Sequence, residues 1–367
     1  MKFIAKKEQI VDILQMGAAI AERRQTIPIL ANLRIKAENS LVEITATDLE
    51  IQIKSASKVS KVEEEGETTV SARKMSELCR MLPANEDLEF SVNQGKLTVK
   101  SRNFHADFAT LSAADFPELE VGEHEKTLKI SSSSLKRLFN KTQFCMATQD
   151  VRYYLNGLLL EINDGNLVAV ATDGHRLASA SNQIELKEDE IIRNILPRKA
   201  VTELAKILKD EDESIELSIG SSSLRIKDKG LDFSSKLIDG KFPDYERVFP
   251  QGSPNEMLLS KEDFQSALSR ASVLSNEKYR GVRLILAENS LKLMANNPEQ
   301  ESAEEDLSVK YTGPSMEIGF NIGYLLDVLG AIDSDDVLLS FFGEESSCLV
   351  NDPENHSETY VIMPMRL

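Results

Sequence analysis

A pattern that returns about every 125 residues constrains this chain more than any other feature. Ala37-Glu38-Asn39-Ser40-Leu41 recurs unchanged as Ala287-Glu288-Asn289-Ser290-Leu291. Asn163-Asp164-Gly165-Asn166-Leu167 lies between them, and the three leucines are 126 and 124 residues apart. Ala46-Thr47-Asp48 returns as Ala171-Thr172-Asp173 and then as Ala295-Asn296-Asn297. Arg73-Lys74 returns as Arg198-Lys199, with Asn321-Ile322 in the third place. Stacked solenoid units repeat every 20 to 50 residues or so, whereas a unit of this length can bury a core of its own. The 367 residues are therefore expected to hold three similar domains, 1–122, 127–250 and 254–367. Short joins follow Phe116-Pro117 and Phe242-Pro243, so the domains should form a fixed chain rather than swing on tethers.

Each repeat reads as a strand, a helix and three strands, performed twice. Helices are expected at 6–24, 72–82, 133–147, 197–209, 260–274 and 321–332. Their apolar residues fall at the spacing of one buried face: Ile10, Ile13, Leu14 and Gly17 in the first, Met75, Leu78, Cys79 and Leu82 in the second. The middle pair offers Leu135, Leu138 and Phe139, then Val201, Leu204, Ala205 and Leu208; the last pair offers Phe264, Ala267, Leu268 and Ala271, then Leu325, Val328, Leu329 and Ile332. Strand runs separated by turn signals such as Asn163-Asp164-Gly165 imply antiparallel sheets with helices on one face, an α+β class.

The net charge of −17 would repel a polyanion if it were spread evenly. It is not spread evenly. The six expected helices carry 16 Lys or Arg against 8 Asp or Glu, a net +8, and the remainder carries −25. Basic helices without a base-reading motif suit sequence-independent contact with phosphates, while acidic strands would discourage binding on the wrong side.

Catalysis finds little support. Asp173-Gly174-His175-Arg176 could be imagined as an acid–base site, but His105, His124, His175 and His356 stand at no metal-ligand spacing, and no Gly-rich phosphate loop or nucleophile motif is present. No metal, cofactor or catalytic residue is expected. Cys79, Cys145 and Cys348 are odd in number and far apart, as reduced core thiols would be. Met1-Lys2-Phe3-Ile4 leads into no hydrophobic stretch and no apolar run reaches membrane-spanning length, so a cytoplasmic protein is expected. A scaffold that binds proteins but not DNA would suit the acidic total and not the basic helices.

Several longer motifs go further. Asp150-Val151-Arg152-Tyr153-Tyr154-Leu155-Asn156-Gly157, Ala171-Thr172-Asp173-Gly174-His175-Arg176-Leu177-Ala178, Ser275-Asn276-Glu277-Lys278, Ala295-Asn296-Asn297-Pro298-Glu299-Gln300-Glu301 and Met363-Pro364-Met365-Arg366-Leu367 resemble the bacterial DNA polymerase III beta-subunit family, the replication sliding clamps. The resemblance runs from Met1 to Leu367. In that family two three-domain protomers join head to tail into a ring around duplex DNA, helices inward and sheets outward. It implies a processivity factor that does no chemistry, holding the DNA polymerase III catalytic subunit, the clamp loader and other polymerases and repair proteins through short peptide motifs.

Site residues transfer with the resemblance. It implies DNA contacts at Arg24, Arg73, Gln149, Tyr153 and Tyr154. It places a partner-peptide groove at Arg152, Leu155, Thr172, Gly174, His175, Arg176 and Leu177, at Phe242, Pro243, Arg247 and Val248, at Asn321, Tyr324 and Ser347, and at Val361, Ile362, Met363, Pro364, Met365 and Arg366. The chemistry of such a set is intelligible by itself: leucines, prolines and flexible methionines make an adaptable apolar pocket, and arginines with Asn321 at its rim can anchor a peptide. The terminal run also suits a last core strand bordering that pocket. A homodimer interface is implied at Leu78 and Leu82 on one side and Val273 and Leu274 on the other. The chain departs from the family at Ala106, where the family carries an aromatic; Phe104 and Phe108 flank it.

Overall fold

All six expected helices form: α1 (Lys7–Ile20), α2 (Ala72–Met81), α3 (Ser132–Thr142), α4 (Arg198–Ile207), α5 (Lys261–Ser272) and α6 (Ile322–Ala331). The computed structural model describes residues 1–22, 27–84, 86–120, 122, 126–185 and 191–366. Of the apolar helix positions named from the spacing, only Leu78 is not buried. Gly17 shows why α1 needs its glycine: a Cβ there would stand 2.6 Å from Leu33 Cδ2 and 2.9 Å from Ile44 Cδ1, so a side chain would push the helix off its sheet.

The helices are shorter than the periodicity suggests, because local caps and not apolar spacing decide where they begin and end. Ala21 already has extended backbone, φ −53° and ψ 134°, and closes α1 through its N–H to the Gly17 carbonyl. Asn321 caps α6 by accepting the Tyr324 N–H at 3.2 Å, and Ser260 caps α5 by accepting that of Asp263 at 3.2 Å. With these limits the helices hold 12 basic and 7 acidic residues, a net +5 rather than +8. The excess sits on α2, α3 and α4 alone.

The strand–helix–three-strand plan appears twice in every repeat, with two additions: Lys61–Glu64 in the first and Lys310–Tyr311 in the third. The pairings between strands are antiparallel. The chain packs as two compact units, residues 1–133 with 203–237, and residues 134–202 with 238–367. This division runs through the second repeat because its outer strands continue its neighbours' sheets. In the first unit Leu231–Lys236 pairs with Ile51–Lys58, Ser235 opposite Ile51, extending one sheet to 13 strands. In the second unit Arg176–Gln183 pairs with Glu358–Ile362, Arg176 opposite Ile362, within a nine-stranded sheet; a four-stranded sheet completes that unit. The fold is the expected α+β class.

The identical pentapeptide turns in two different registers. In the first repeat Glu38 faces Leu41, leaving Asn39 and Ser40 as a two-residue turn with φ of 49° and 67°. In the third, Ala287 faces Ser290, so the turn is Glu288-Asn289. The Ser40 carbonyl accepts the Val59 N–H as the Asn289 carbonyl accepts that of Val309, so Asn289 stands where Ser40 stood. The equivalent turn residues Ser40, Gly165 and Asn289 are 125 and 124 residues apart, so the two identical pentapeptides stand one residue out of structural register.

Candidate functional site

The Ala-Thr-Asp recurrence is a turn device. Thr172 Oγ1 donates to the Arg176 carbonyl at 2.6 Å and accepts the Gly174 N–H, while Asp173 Oδ1 accepts the N–H groups of His175 and Arg176 at 2.9 and 3.0 Å. The first repeat has the same circuit. Thr47 Oγ1 donates to the Ile51 carbonyl and accepts from Leu49, and Asp48 Oδ1 accepts from Glu50 and Ile51. In the third, Asn297 Oδ1 accepts the Glu301 N–H at 2.9 Å. The Asp173 carboxylate is thus engaged in closing a turn, which accounts for the Asp-Gly-His-Arg motif without acid–base chemistry.

That turn borders the candidate peptide groove, whose residues all lie within the second unit. A buried apolar cluster lies beside it. Leu177, Phe242 and Val361 pack there in one buried cluster with Leu159, Val170, Ile195 and Tyr245, and Leu155 is buried as well. Val361 and Ile362 belong to the last strand, after which the chain runs on beside the turn. The Met363 N–H donates to the His175 carbonyl at 2.9 Å and that of Met365 to Gly319 at 2.8 Å. The apolar terminus is therefore a core strand whose continuation runs beside the turn. Met363 and Val248 remain exposed at 45% and 36%, apolar surface left uncovered beside a buried apolar floor. Pro243 is exposed, Pro364 and Met365 are half-buried, and Ser347 is half-buried in the turn before Cys348.

The arginines divide into two kinds. Arg152 pairs with Asp150 at 3.0 and 2.8 Å and reaches the Asp173 carbonyl at 3.3 Å, remaining half-exposed. Arg247 pairs with Asp244 at 2.7 Å and Arg366 with Glu345 at 3.1 Å, both almost fully exposed. All three remain open to solvent. Arg176 does not: its side chain is 10% exposed, held by Asp173 at 3.1 Å, Asp327 of α6 at 2.6 Å and the Phe144 carbonyl at 2.8 Å. Its guanidinium lies 4.5 Å from the Tyr324 ring centroid and 5.5 Å from that of Phe144, so it is a post supporting the groove. Asn321 likewise works inward, capping α6 and donating to the Tyr279 carbonyl at 3.1 Å. His175 is exposed and stacks on Tyr324 with centroids 6.5 Å apart. Phe144, Asp327 and Tyr279 escaped the sequence reading; Asp327 was marked only by being the lone charge on α6.

The implied DNA contacts fall in separate places. Arg24 lies outside the described residues. Arg73 is exposed on α2 and pairs with Glu77 at 2.9 Å. Gln149, with φ +55°, and Tyr153, 57% exposed, project from the loop between α3 and the strand Gly157–Asn163. Asn156 holds that loop through mutual 2.9 Å bonds with the Asp150 backbone. Tyr154 packs edge-on to Tyr153 and against the groove cluster, so only part of it is free. Of the basic residues on α3, Arg137 and Lys141 turn inward to the buried carboxylate of Glu358.

The implied dimer residues also divide. Val273 is 77% exposed and Leu274 half-buried; Leu78 is half-buried, but Leu82 is 6% exposed and belongs to its own core, while Met81 beside it is 74% exposed. The three cysteines are buried and unpaired, and burial pushes the Cys79 thiol up to about 12. Among the described residues no helix is long and apolar enough to cross a membrane.

Residues 1–120, 129–244 and 246–366 match in turn the N-terminal, central and C-terminal domains of the DNA polymerase III beta subunit. Beta sliding clamps from Pseudomonas aeruginosa and Pseudomonas putida are 44% and 43% identical to the chain over 367 residues, the whole of both chains being covered. The crystal structure of a sliding clamp, DNA polymerase III subunit beta, from Pseudomonas aeruginosa bound to griselimycin matches with a TM-score of 0.96 and 44% identity, again over all of both chains.

Proposed function

This chain belongs to the DNA polymerase III beta-subunit family, and on that premise we propose how a processivity factor works through these residues. The observation that supports the proposal is a buried apolar cluster built from Leu177, Phe242 and Val361, with exposed Met363 bonded to the His175 carbonyl and Arg152, Arg247 and Arg366 open to solvent in the same unit. Short peptide segments of the polymerase, the clamp loader and repair proteins dock there, apolar side chains on the floor and polar groups at the rim. The clamp itself needs no catalytic group, cofactor or metal, and works in the cytoplasm.

DNA is held by enclosure. A ring that surrounds a duplex stays on it without strong contacts, so weak, salt-screened phosphate contacts permit sliding. We assign those contacts to Arg24, Arg73, Gln149 and Tyr153, with a smaller share for Tyr154. The three domains, 1–122, 127–250 and 254–367, form half of that ring.

Two such chains close the ring through sheet edges. In Phe104–Leu111, among the described residues, only Thr110 and Leu111 pair on the side away from Lys96–Ser101, which leaves 104–109 open. Among the described residues, Ser302–Ser308 pairs only with Ser290–Asn296. Open edges of this kind invite a second chain. The second edge carries Glu304, Glu305 and Asp306, and the first lies beside Lys96, Lys100 and Arg102, so opposite charge favours their meeting. Met81 and Val273 supply exposed apolar surface near these edges' helices, with Leu78 and Leu274 behind them.

Primer extension tests the function. With DNA polymerase III and its loader on a long single-stranded circle, adding this chain is expected to lengthen the product of each polymerase binding event at least tenfold or so. Unchanged product length would contradict it.

A further inference from the structure

Beneath the groove lies a carboxylate that packing does not explain. Glu161 sits in the strand Gly157–Asn163, between Leu160 and Ile162, and is 1% exposed. An apolar residue would suit that place better, since a buried carboxylate is costly unless its oxygens are bonded. Both oxygens are bonded. Arg193, directly opposite on the neighbouring strand, donates to Oε2 at 2.6 Å, and the Tyr245 hydroxyl donates to Oε1 at 3.3 Å.

Tyr245 belongs to the groove wall. Residues 239–254 cross the sheet face, bringing Phe242, Pro243, Arg247 and Val248 to the groove. Among the described residues, the Tyr245 hydroxyl makes the one hydrogen bond joining that segment to another element. Its other attachments are apolar: Phe242 and Tyr245 in the buried cluster, with Phe249 against it. Apolar burial is non-directional, so it holds the segment down without fixing its place along the sheet. A hydrogen bond requires a particular distance and angle, and so can fix it. Burial, then the charge of Glu161, pushes the Tyr245 hydroxyl above its ordinary range, which keeps its proton available to donate.

We propose that Glu161 is a positioning residue of the peptide groove: it fixes Tyr245, and through it the 242–248 wall, so the wall stands in place before a partner arrives. This rests on the groove reading above. A preorganised wall spares the peptide the cost of ordering it, and Arg193 compensates the buried charge that the device requires.

The probe is a fluorescein-labelled peptide copied from the clamp-binding segment of the DNA polymerase III catalytic subunit, followed by polarisation against the full-length protein. Tyr245→Phe keeps the ring and removes the bond, and is expected to weaken binding roughly threefold to tenfold. Glu161→Gln retains an acceptor and should stay within about twofold of the unaltered chain. Glu161→Ala combined with Tyr245→Phe should weaken binding no more than Tyr245→Phe alone, because both remove the same bond. Deletion of residues 363–367 serves as the control for the groove. If the deletion abolishes binding while Tyr245→Phe leaves it unchanged, or if the two losses add, positioning by Glu161 is overturned and the groove stands. If the deletion leaves binding intact, the groove reading itself fails. Should Glu161→Ala not fold, Tyr245→Phe against Glu161→Gln still decides the matter.

Discussion

Gly174 and Leu49 occupy equivalent places in two copies of one turn, with φ of +88° and +74°. The circuit of Thr and Asp side chains therefore holds even a leucine in left-handed backbone, at a cost of about 1–2 kcal/mol. Glycine at 174 relieves that strain and does something more: a Cβ there would lie 3.0 Å from the Arg152 guanidinium. Gly174→Ala is expected to fold, to lose about 1–2 kcal/mol in denaturant unfolding, and to displace Arg152 from the rim, weakening peptide binding. Full peptide affinity in the variant would show that Arg152 is not placed by this contact. Arg152 also governs Asp150, whose carboxyl is held at about 2 by the Arg152 side chain and then by its backbone N–H. A depressed value means that the pairing contributes stability above the ordinary carboxylate range near 3.9 and loses it as pH falls through about 2. NMR titration of Asp150 should place its midpoint near 2; a midpoint at the ordinary value would mean that the pair does not persist in solution.

Among the elements, the terminal segment Met363–Arg366 offers the most direct test of the proposed groove. Deleting 363–367 is expected to abolish peptide binding while leaving the dimer mass unchanged, since the segment follows the last strand rather than belonging to it. Six helices, the doubled strand plan and the buried face of each helix were legible in periodicity alone. Helix ends were not, because a single cap decides them, and α1 stopping at Ile20 left out two of the four basic residues expected on it. The short edge strands Lys61–Glu64 and Lys310–Tyr311 escaped notice, being too brief to show alternation. Family motifs pointed to the groove residues, but the contacts among them were not legible. Arg176 looks like a rim cation until Asp327, 151 residues away, is seen beside it. Glu161 carries no sequence signal at all beyond a charge in an apolar strand.

At the scale of the whole molecule, the repeat explains both the similarity of the domains and their division of labour. The same junction is built twice. Ser235 faces Ile51 and the Lys236 N–H meets the Glu50 carbonyl, just as Ile362 faces Arg176 and the Met363 N–H meets that of His175. At the first junction the position of Leu177 is taken by Gln52, whose side chain accepts the Leu119 N–H at 3.0 Å, so the segment after Phe116-Pro117 is tied down. At the second, apolar residues and open arginines remain for a partner. Three domains with open edges at Phe104–Leu111 and Ser302–Ser308 make half of a closed ring if two chains meet head to tail. Enclosure of DNA is the central claim, and retention after loading on a nicked circle tests it most directly. The protein is expected to stay on the intact circle through a high-salt wash and to leave once a restriction cut makes the circle linear. Equal loss from circular and linear DNA, or equal retention on both, would contradict enclosure.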